Sequence, residues 1–198
     1  MSVLSVEDMM LTRSWICLLS CISPALCGNP HNPVTVVLEF DQPYSDVSVS
    51  EMEREAAAVL KRTGLTFDWR LEARLEPLPE FKSLVVLKMK GSCEMDLIPE
   101  LIDERGPLGM AYVTDGQVLS FGEIECDRIK KSVERVLPPS TSARKERLYG
   151  RALGRVAAHE MVHMLRGSTR HSKSGITQAS LTADELISNH VDLVEPNK

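Results

Sequence analysis

Three histidines and one glutamate lie close together in the stretch HEMVHMLRGSTRH, which runs from His159 to His171. His159 and His163 are four residues apart. Residues at that spacing project from one face of a helix, so the two imidazoles can converge on one metal ion. Glu160 follows the first histidine, where its carboxylate can reach a water molecule on the metal rather than the metal itself. The spacing therefore predicts a Zn²⁺ site with a general base beside it.

A catalytic zinc ion usually has three protein ligands and one open position, so the two histidines need a third partner. His171 comes eight residues after His163, beyond Gly167, and a chain reversal at that glycine would return His171 to the metal. Glu185 is the alternative third ligand, on the next predicted helix. Glu185 also completes a capping box with Thr182, which gives it a structural role. We favour His171 and keep Glu185 as the alternative.

The elements that would hold these residues predict an α+β fold. Its expected architecture is a small mixed β-sheet packed on the long helix that carries the histidines, with a short C-terminal helical part. The first strand, helix and second strand predict a βαβ unit. The predicted elements are strands at residues 34–40, 65–73 and 83–91, a hairpin at Asp115–Gly116, a helix from Ser50 to Gly64, and helices at residues 128–137, 143–166 and 183–194.

The N-terminal segment predicts export. Arg13 precedes the apolar run of residues 15–27, and the small residues Ala25 and Cys27 fit a cleavage site before Gly28. Residues 1–27 are therefore predicted to be a signal peptide, and residues 28–198 a single domain that is secreted or periplasmic. The apolar run is too short to span a bilayer comfortably, so we expect no stable membrane span after the signal is removed.

The cysteines and the net charge narrow the class of protein further. Beyond residue 28 the chain has two cysteines, Cys93 and Cys126. Two cysteines in an exported chain predict one disulfide. The net charge is −5, and the sequence has no basic stripe with interleaved aromatic residues. Nucleic acid is therefore not expected as a partner.

The segment RALGRVAAHEMVHMLRGSTRHSKSGI, residues 151–176, resembles the active-site helix and turn of the zincin metallopeptidases, which carry the HExxH motif. It is most similar to the metzincin branch, and the chain also resembles small exported bacterial zincin-like proteins. LGMAYV, residues 108–113, resembles the substrate-side edge strand of the metzincins. The resemblance implies hydrolysis of a peptide or protein substrate, with Glu160 as general base and the substrate lying along residues 108–113 by strand addition.

The chain departs from the metzincin pattern at the third ligand. Metzincins place a glycine three residues after the second histidine and a histidine six residues after it, where this chain has Arg166 and Thr169. Gly167 and His171 come one and two residues later instead. Metzincins also have a methionine turn beneath the metal, and the corresponding stretch SGITQAS carries Thr177 and no methionine.

Two other functions are compatible with these residues. One is a non-catalytic secreted binding or scaffold domain that keeps a zincin fold around a structural metal. Glu160 favours an enzyme over this alternative, because a structural site needs no carboxylate beside its first ligand. The other is a hydrolase that acts on a different amide or ester, since a fold does not fix a substrate.

Two further pairs of residues are expected to be structural. Tyr112 and Tyr149 are candidate donors to a developing oxyanion, but a buried structural tyrosine is the favoured interpretation of each. Arg151 and Arg155 repeat at helical spacing before the histidines. We expect them on a solvated helix face, with pairing to carboxylates across the fold as the alternative.

Overall fold

The computed structural model describes residues 33–74, 81, 83–95 and 105–194. The predicted signal peptide at residues 1–27 lies outside these ranges. Within them, no helix combines the length and the apolar character needed to cross a bilayer. The helices and strands, in chain order, are β1 Val34–Phe40, α1 Asp46–Leu60, β2 Phe67–Leu71, β3 Leu84–Lys90, β4 Gly109–Thr114, β5 Gln117–Glu125, α2 Cys126–Glu134, α3 Ser142–Arg166 and α4 Ala183–Ile187.

The described strands form one mixed five-stranded sheet in the order β2-β1-β3-β5-β4. The pairs β1–β2, β1–β3 and β3–β5 are parallel, and β4 pairs with β5 in the antiparallel sense. The β1–α1–β2 unit is therefore confirmed. The hairpin is confirmed too: Asp115 and Gly116 have φ of 49° and 77°, the left-handed pair that a type I′ turn requires. This topology leaves β4 at the edge of the sheet.

The histidine helix α3 is packed tightly against α1 through its N-terminal half. Gly150 and Gly154 lie one helical turn apart on α3, and a Cβ atom added to Gly154 would lie 2.6 Å from the carbonyl oxygen of Met52 in α1. Helices approach this closely only where the contact residue has no side chain. Ala157 and Met161, further along α3, are fully buried in the core. This packing fixes the helix axis on which the histidines lie.

Three predicted helices differ from the observed ones by two residues or more at a boundary. The helix predicted at residues 128–137 is α2, which spans Cys126–Glu134. The first helix does not begin at Ser50: it begins at Asp46, where the hydroxyl of Ser45 accepts a hydrogen bond from the backbone N–H of Ser48. The chain can turn earlier because Ser45 N–H is anchored on the carbonyl of Cys93. The C-terminal helix predicted at residues 183–194 spans only α4, since side chains of α3 bind the carbonyls where the helix ends.

The predicted disulfide joins Cys93, which follows β3, to Cys126, the first residue of α2. Both cysteines are fully buried, and they close a loop with a sequence separation of 33 residues. We expect the double variant Cys93→Ala/Cys126→Ala to lose about 2–4 kcal/mol of the free energy of unfolding, mainly because the unfolded chain gains freedom. Urea unfolding measures this loss. A phosphine reductant should destabilise the native protein by a similar amount and leave the double variant unchanged; equal midpoints for all samples would contradict the prediction.

Candidate metal centre

The structure brings His159, His163 and His171 together. One potential ligand nitrogen from each histidine lies within 4.8 Å of the other two. The Nε2 atoms of His159 and His163 are 3.0 Å apart, and the His171 ring centroid lies 5.2 Å from that of His159 and 4.8 Å from that of His163. Ligand nitrogens around a tetrahedral zinc ion are separated by about 3.3 Å, given zinc–nitrogen bonds of about 2.0–2.1 Å. The three imidazoles therefore fit the size of a zinc site.

The other ring nitrogens fix how two of these imidazoles are protonated. Nδ1 of His159 lies 2.7 Å from the carbonyl oxygen of Ile176, and Nδ1 of His163 lies 2.7 Å from that of Ser168. A carbonyl oxygen only accepts, so each Nδ1 must carry the proton. Burial lowers the pKa of His159 to about 4, which keeps its ring neutral near pH 7. The Nε2 atoms of the two rings then lie 3.0 Å apart, a separation that suits two nitrogens bound to one cation.

A glycine turn returns the chain to the first two histidines. Gly167 adopts φ of 58° at the end of α3, and its N–H bonds back to the last turn of the helix. The N–H of Ser168 bonds to the carbonyl of His163, and the carbonyl of Ser168 accepts from the Nδ1–H of the same residue. The left-handed residue therefore ends the helix, supports the second histidine and directs the chain towards His171.

Glu160 lies beside the three histidines and is only 6% exposed. Burial raises the pKa of its carboxyl group to about 7, and a hydrogen bond from the N–H of Ala111 in β4 partly opposes that shift. The strand passes very close to the helix here: a Cβ atom on Gly109 would lie 2.8 Å from Cγ1 of Val156 and 3.0 Å from Cγ of Glu160. A backbone without a side chain therefore allows β4 to reach the carboxylate.

The alternative ligand Glu185 is not brought to the histidines. Its carboxylate accepts hydrogen bonds from the N–H and the hydroxyl of Thr182 and from Nε2 of Gln178. The hydroxyl of Thr182 in turn accepts from the N–H of Glu185, so the predicted capping box is confirmed. These hydrogen bonds hold the carboxylate of Glu185 against Gln178 and Thr182, the residues before α4. Glu185 is not part of the histidine cluster.

A cleft of about 500 Å³ opens over the histidines and Glu160. Its lining includes the edge strand β4 with the residues just before it, and the loop at residues 178–181. Among the described lining residues, only Glu160 and the histidines carry ionisable side chains. The described lining residues are Gly106, Pro107, Leu108, Gly109, Met110, Ala111, Val156, His159, Glu160, His163, Thr169, His171, Gln178, Ala179, Ser180 and Leu181.

Other residues singled out in the sequence have structural partners. The hydroxyl of Tyr149 is buried and donates to the carbonyl of Cys126, and Tyr112 bonds to Glu123 beside it on the sheet. The buried structural role expected of a tyrosine is therefore confirmed for Tyr149, whereas Tyr112 is only partly buried. The solvated face expected for Arg155 is wrong, since its side chain is fully buried.

The sequence did not identify the backbone groups that support the site. The carbonyls of Ser168 and Ile176 hold the two histidine rings, and the N–H of Ala111 holds Glu160. A contact made through the main chain does not require a particular residue type. The residue types at these positions therefore gave no indication of the contacts. Gly109 is an exception, because only a glycine permits this approach of strand and helix.

The buried carboxyl group of Glu160 makes the stability of the metal-free protein depend on pH. Its pKa is about 7 in the folded state, against 4.5 for an unperturbed glutamate. Between these pH values the folded state holds a proton that the unfolded state has lost. The contribution of Glu160 to the free energy of unfolding is therefore complete below about pH 4.5 and is lost as the pH rises to about 7. The loss amounts to about 3 kcal/mol.

Glu160→Gln removes this titration and nearly preserves the shape of the side chain. We expect the variant to gain stability relative to the native protein as the pH rises from about 4.5 to 7, because the native protein alone must bury a charge. Urea unfolding of both proteins in a metal chelator, at several pH values in this range, measures the difference. A difference in the free energy of unfolding between the two proteins that stays constant across this pH range would contradict the prediction.

Comparisons with known proteins do not identify a family for this chain. No protein-family model matches it, and no curated protein matches it. Among solved structures, archaemetzincin from Methanopyrus kandleri is similar, with 14% sequence identity and a TM-score of 0.45 over 80% of this chain and 87% of that chain. A likeness of this size establishes neither a family nor an activity, so the function must be inferred from the site itself.

Proposed function

We propose that the protein is an exported zinc-dependent peptidase. The observation that carries the proposal is the convergence of three imidazoles with a buried carboxylate at the base of a cleft. Three neutral nitrogen ligands with one open position are typical of catalytic rather than structural zinc sites. A domain that used the metal only for structure would have no need of Glu160, whose burial costs stability near neutral pH.

The chain's own residues fit the requirements of a zinc ion. His159, His163 and His171 would hold it, and the carbonyls of Ile176 and Ser168 orient the first two rings with Nε2 towards the cluster. Such carbonyl partners also make an imidazole a better ligand. When bound, zinc supplies Lewis acidity, which lowers the pKa of a water molecule and polarises a substrate carbonyl.

Glu160 would act as the general base and then as the general acid. Its carboxylate takes one proton from the attacking water as the oxygen adds to the carbonyl carbon of the substrate. The same proton then goes to the amide nitrogen as the carbon–nitrogen bond breaks, which leaves a free amine and a carboxylic acid. The N–H of Ala111 helps to keep the carboxylate in place for both transfers, because it bonds to the anion.

The edge strand β4 offers the substrate a backbone to pair with. The carbonyl of Leu108 accepts from the N–H of Glu125 in β5, so in an antiparallel ladder the backbone groups of Gly109 and Ala111 point the other way, towards the cleft. The bond from Ala111 N–H to Glu160 agrees with this direction. An extended peptide that adds to this edge would pass directly over the histidines.

Two features of the chain support export. They are the apolar run and cleavage pattern of residues 1–27, together with the disulfide between Cys93 and Cys126. Disulfides persist in oxidising compartments and are rare in the cytosol. N-terminal sequencing of the protein recovered from the medium or periplasm of its source tests this part of the proposal. A mature chain that begins at Gly28 is expected, and an uncleaved chain in the cytosol would contradict it.

Metal content and chelator-sensitive proteolysis test the proposal together. The purified protein should contain about one zinc ion per chain by elemental analysis. It should cleave unfolded protein substrates, lose that activity in a chelator and regain it when zinc is restored. Zinc binding without cleavage of peptides, but with cleavage of other amides or esters, would make it a different hydrolase. Zinc binding with no hydrolysis would support the scaffold alternative, and no zinc binding would refute both.

A further inference from the structure

Four side chains form a single stripe along α3. Arg151, Arg155, His159 and His163 follow one another at intervals of four residues, which places them on the same face of the helix. Each of them binds backbone carbonyls of the segment that follows the helix, residues 168–194. Two guanidinium groups therefore continue the line of the two imidazoles towards the start of α3.

Arg155 is the central member of this stripe and is fully buried. Its Nε donates to Oε1 of Glu55 in α1 over 2.9 Å, and its Nη2 donates to the carbonyl of Ser188 over 2.8 Å. Its Nη1 donates to the hydroxyl of Ser188 and to the carbonyl of Glu185. One planar guanidinium group thus joins α1 to the end of α4, a geometry that a lysine cannot reproduce.

Arg151 also binds the residues at the end of α4. Its Nη1 lies 3.0 Å from the carbonyl of Ile187, 2.9 Å from that of Ser188 and 3.2 Å from Oδ1 of Asn189. These carbonyls would continue the hydrogen bonds of α4 if the helix were longer. The two arginines therefore end α4 and hold its last residues against α3.

The residues after α4 return to the first metal-site histidine. The carbonyl of Asp192 accepts from the N–H of Ile176, and the carbonyl of Val194 accepts from the buried hydroxyl of Thr177. The contact is close, since a Cβ atom on Gly175 would lie 2.5 Å from the carbonyl oxygen of Asp192. Ile176 in turn presents its carbonyl to Nδ1 of His159 over 2.7 Å.

We propose that Arg155, with its partner Glu55, is a positioning residue that sets the ring of His159 through the C-terminal segment. The guanidinium group fixes Ser188, residues 190–194 continue from it, and these residues hold Ile176 where its carbonyl selects the Nδ1–H form of the imidazole. Nε2 of His159 is then directed at the other histidines. That the bound ion is zinc rests on the proposed function, whereas the orientation of the His159 ring does not.

The test replaces Arg155 with lysine and measures the His159 ring in the metal-free protein. Lysine keeps the positive charge beside Glu55 but cannot bind Glu55 and both carbonyls at once. Long-range ¹H–¹⁵N correlation spectra at pH 7.5 report which ring nitrogen carries the proton. We expect the Nδ1–H tautomer in the native protein and a mixture of tautomers in Arg155→Lys. Zinc affinity, measured by competition with a chromophoric chelator, should fall by about tenfold, as for other groups that orient ligands.

Leu60→Ala is the matched control for lost stability. Leu60 is fully buried near the end of α1 and belongs to the main core, so the variant lowers the denaturant midpoint while removing none of the hydrogen bonds that hold the C-terminal segment. We expect it to keep the native tautomer and the native zinc affinity. If Arg155→Lys does not fold, Arg151→Met decides, since Arg151 is only partly buried and its removal should shift the tautomer less but in the same direction.

The outcomes separate this inference from the proposed function. A native tautomer and a native zinc affinity in Arg155→Lys would overturn the positioning role, as would equal shifts in Leu60→Ala. If Arg155→Lys does not fold, a native tautomer in Arg151→Met would overturn it as well. If the native protein binds no zinc but Arg155→Lys changes the His159 tautomer, the zinc peptidase is refuted and the positioning role is supported.

Discussion

Glu160→Gln is expected to lower kcat/KM for peptide hydrolysis by about 10³-fold while the protein still binds zinc, since general acid–base catalysis contributes about 10²–10⁴-fold. The amide keeps the size of the side chain but accepts no proton from water. Zinc binding should persist, because the nitrogens that could hold the ion come from the histidines and not from Glu160. The measurement pairs steady-state kinetics on a fluorogenic peptide with elemental analysis of the same samples.

The matched control is Glu185→Gln, which makes the same chemical change in a carboxylate that caps a helix. Its oxygens bond to Thr182 and Gln178 rather than facing the histidines, so kcat/KM should stay within a few-fold of the native value. Glu160→Asp adds a second comparison. It keeps the carboxylate but moves it back by about 1 Å, a displacement that can cost about 10²-fold in rate. Full activity in Glu160→Gln would contradict the assignment of the base.

The cost of burying Glu160 also bears on the scaffold alternative. Burial raises the pKa of this carboxyl to about 7, so the metal-free protein loses stability by ionising it near neutral pH. A protein that needed only a structural metal would be more stable with glutamine there. A variant that gains stability and loses catalysis is the expected trade-off for a residue kept for chemistry. The same substitution therefore separates the two functions by two independent measurements.

The part of the site that sequence could predict is the part made by local spacing. His159, Glu160 and His163 are ordered by one helix, so their relation follows from helical geometry alone. His171 depended on a chain reversal that Gly167 signals, because a left-handed residue commonly ends a helix. The capping box, which occupies the carboxylate of Glu185, could also be predicted from the sequence, because Thr182 and Glu185 are three residues apart.

The parts that sequence could not predict depend on contacts between distant segments. The carbonyl of Ile176 reaches His159 only because residues 190–194 fold back beside it, and no residue type encodes that register. The C-terminal helix was predicted too long for a related reason. Its apolar and polar residues favour a helix to residue 194, but Arg151 and Arg155 bind the carbonyls that a longer helix would use. Tertiary contacts override local propensity there.

His171→Ala is expected to weaken zinc binding by about 10²-fold. Zinc-finger sites with four protein ligands bind with about 10–16 kcal/mol in total, so the loss of one ligand should cost about 3 kcal/mol. The substitution is a clean one because His171 is exposed on a loop, and its removal leaves no cavity in the core. Affinity is measured by chelator competition. The visible spectrum of the cobalt-substituted protein should also change, since cobalt would lose one nitrogen ligand.

His190→Ala and Glu185→Ala decide whether the effect belongs to the third ligand. His190 is an exposed histidine that pairs with Asp192 and lies outside the histidine cluster, so its removal should leave zinc affinity unchanged. Glu185→Ala should cost about 1 kcal/mol of stability through the lost cap, but little zinc affinity. The opposite pattern, with zinc lost in Glu185→Ala and kept in His171→Ala, would move the third ligand to α4. It would also require the loop at residues 178–181 to rearrange, because Gln178 and Thr182 now hold that carboxylate.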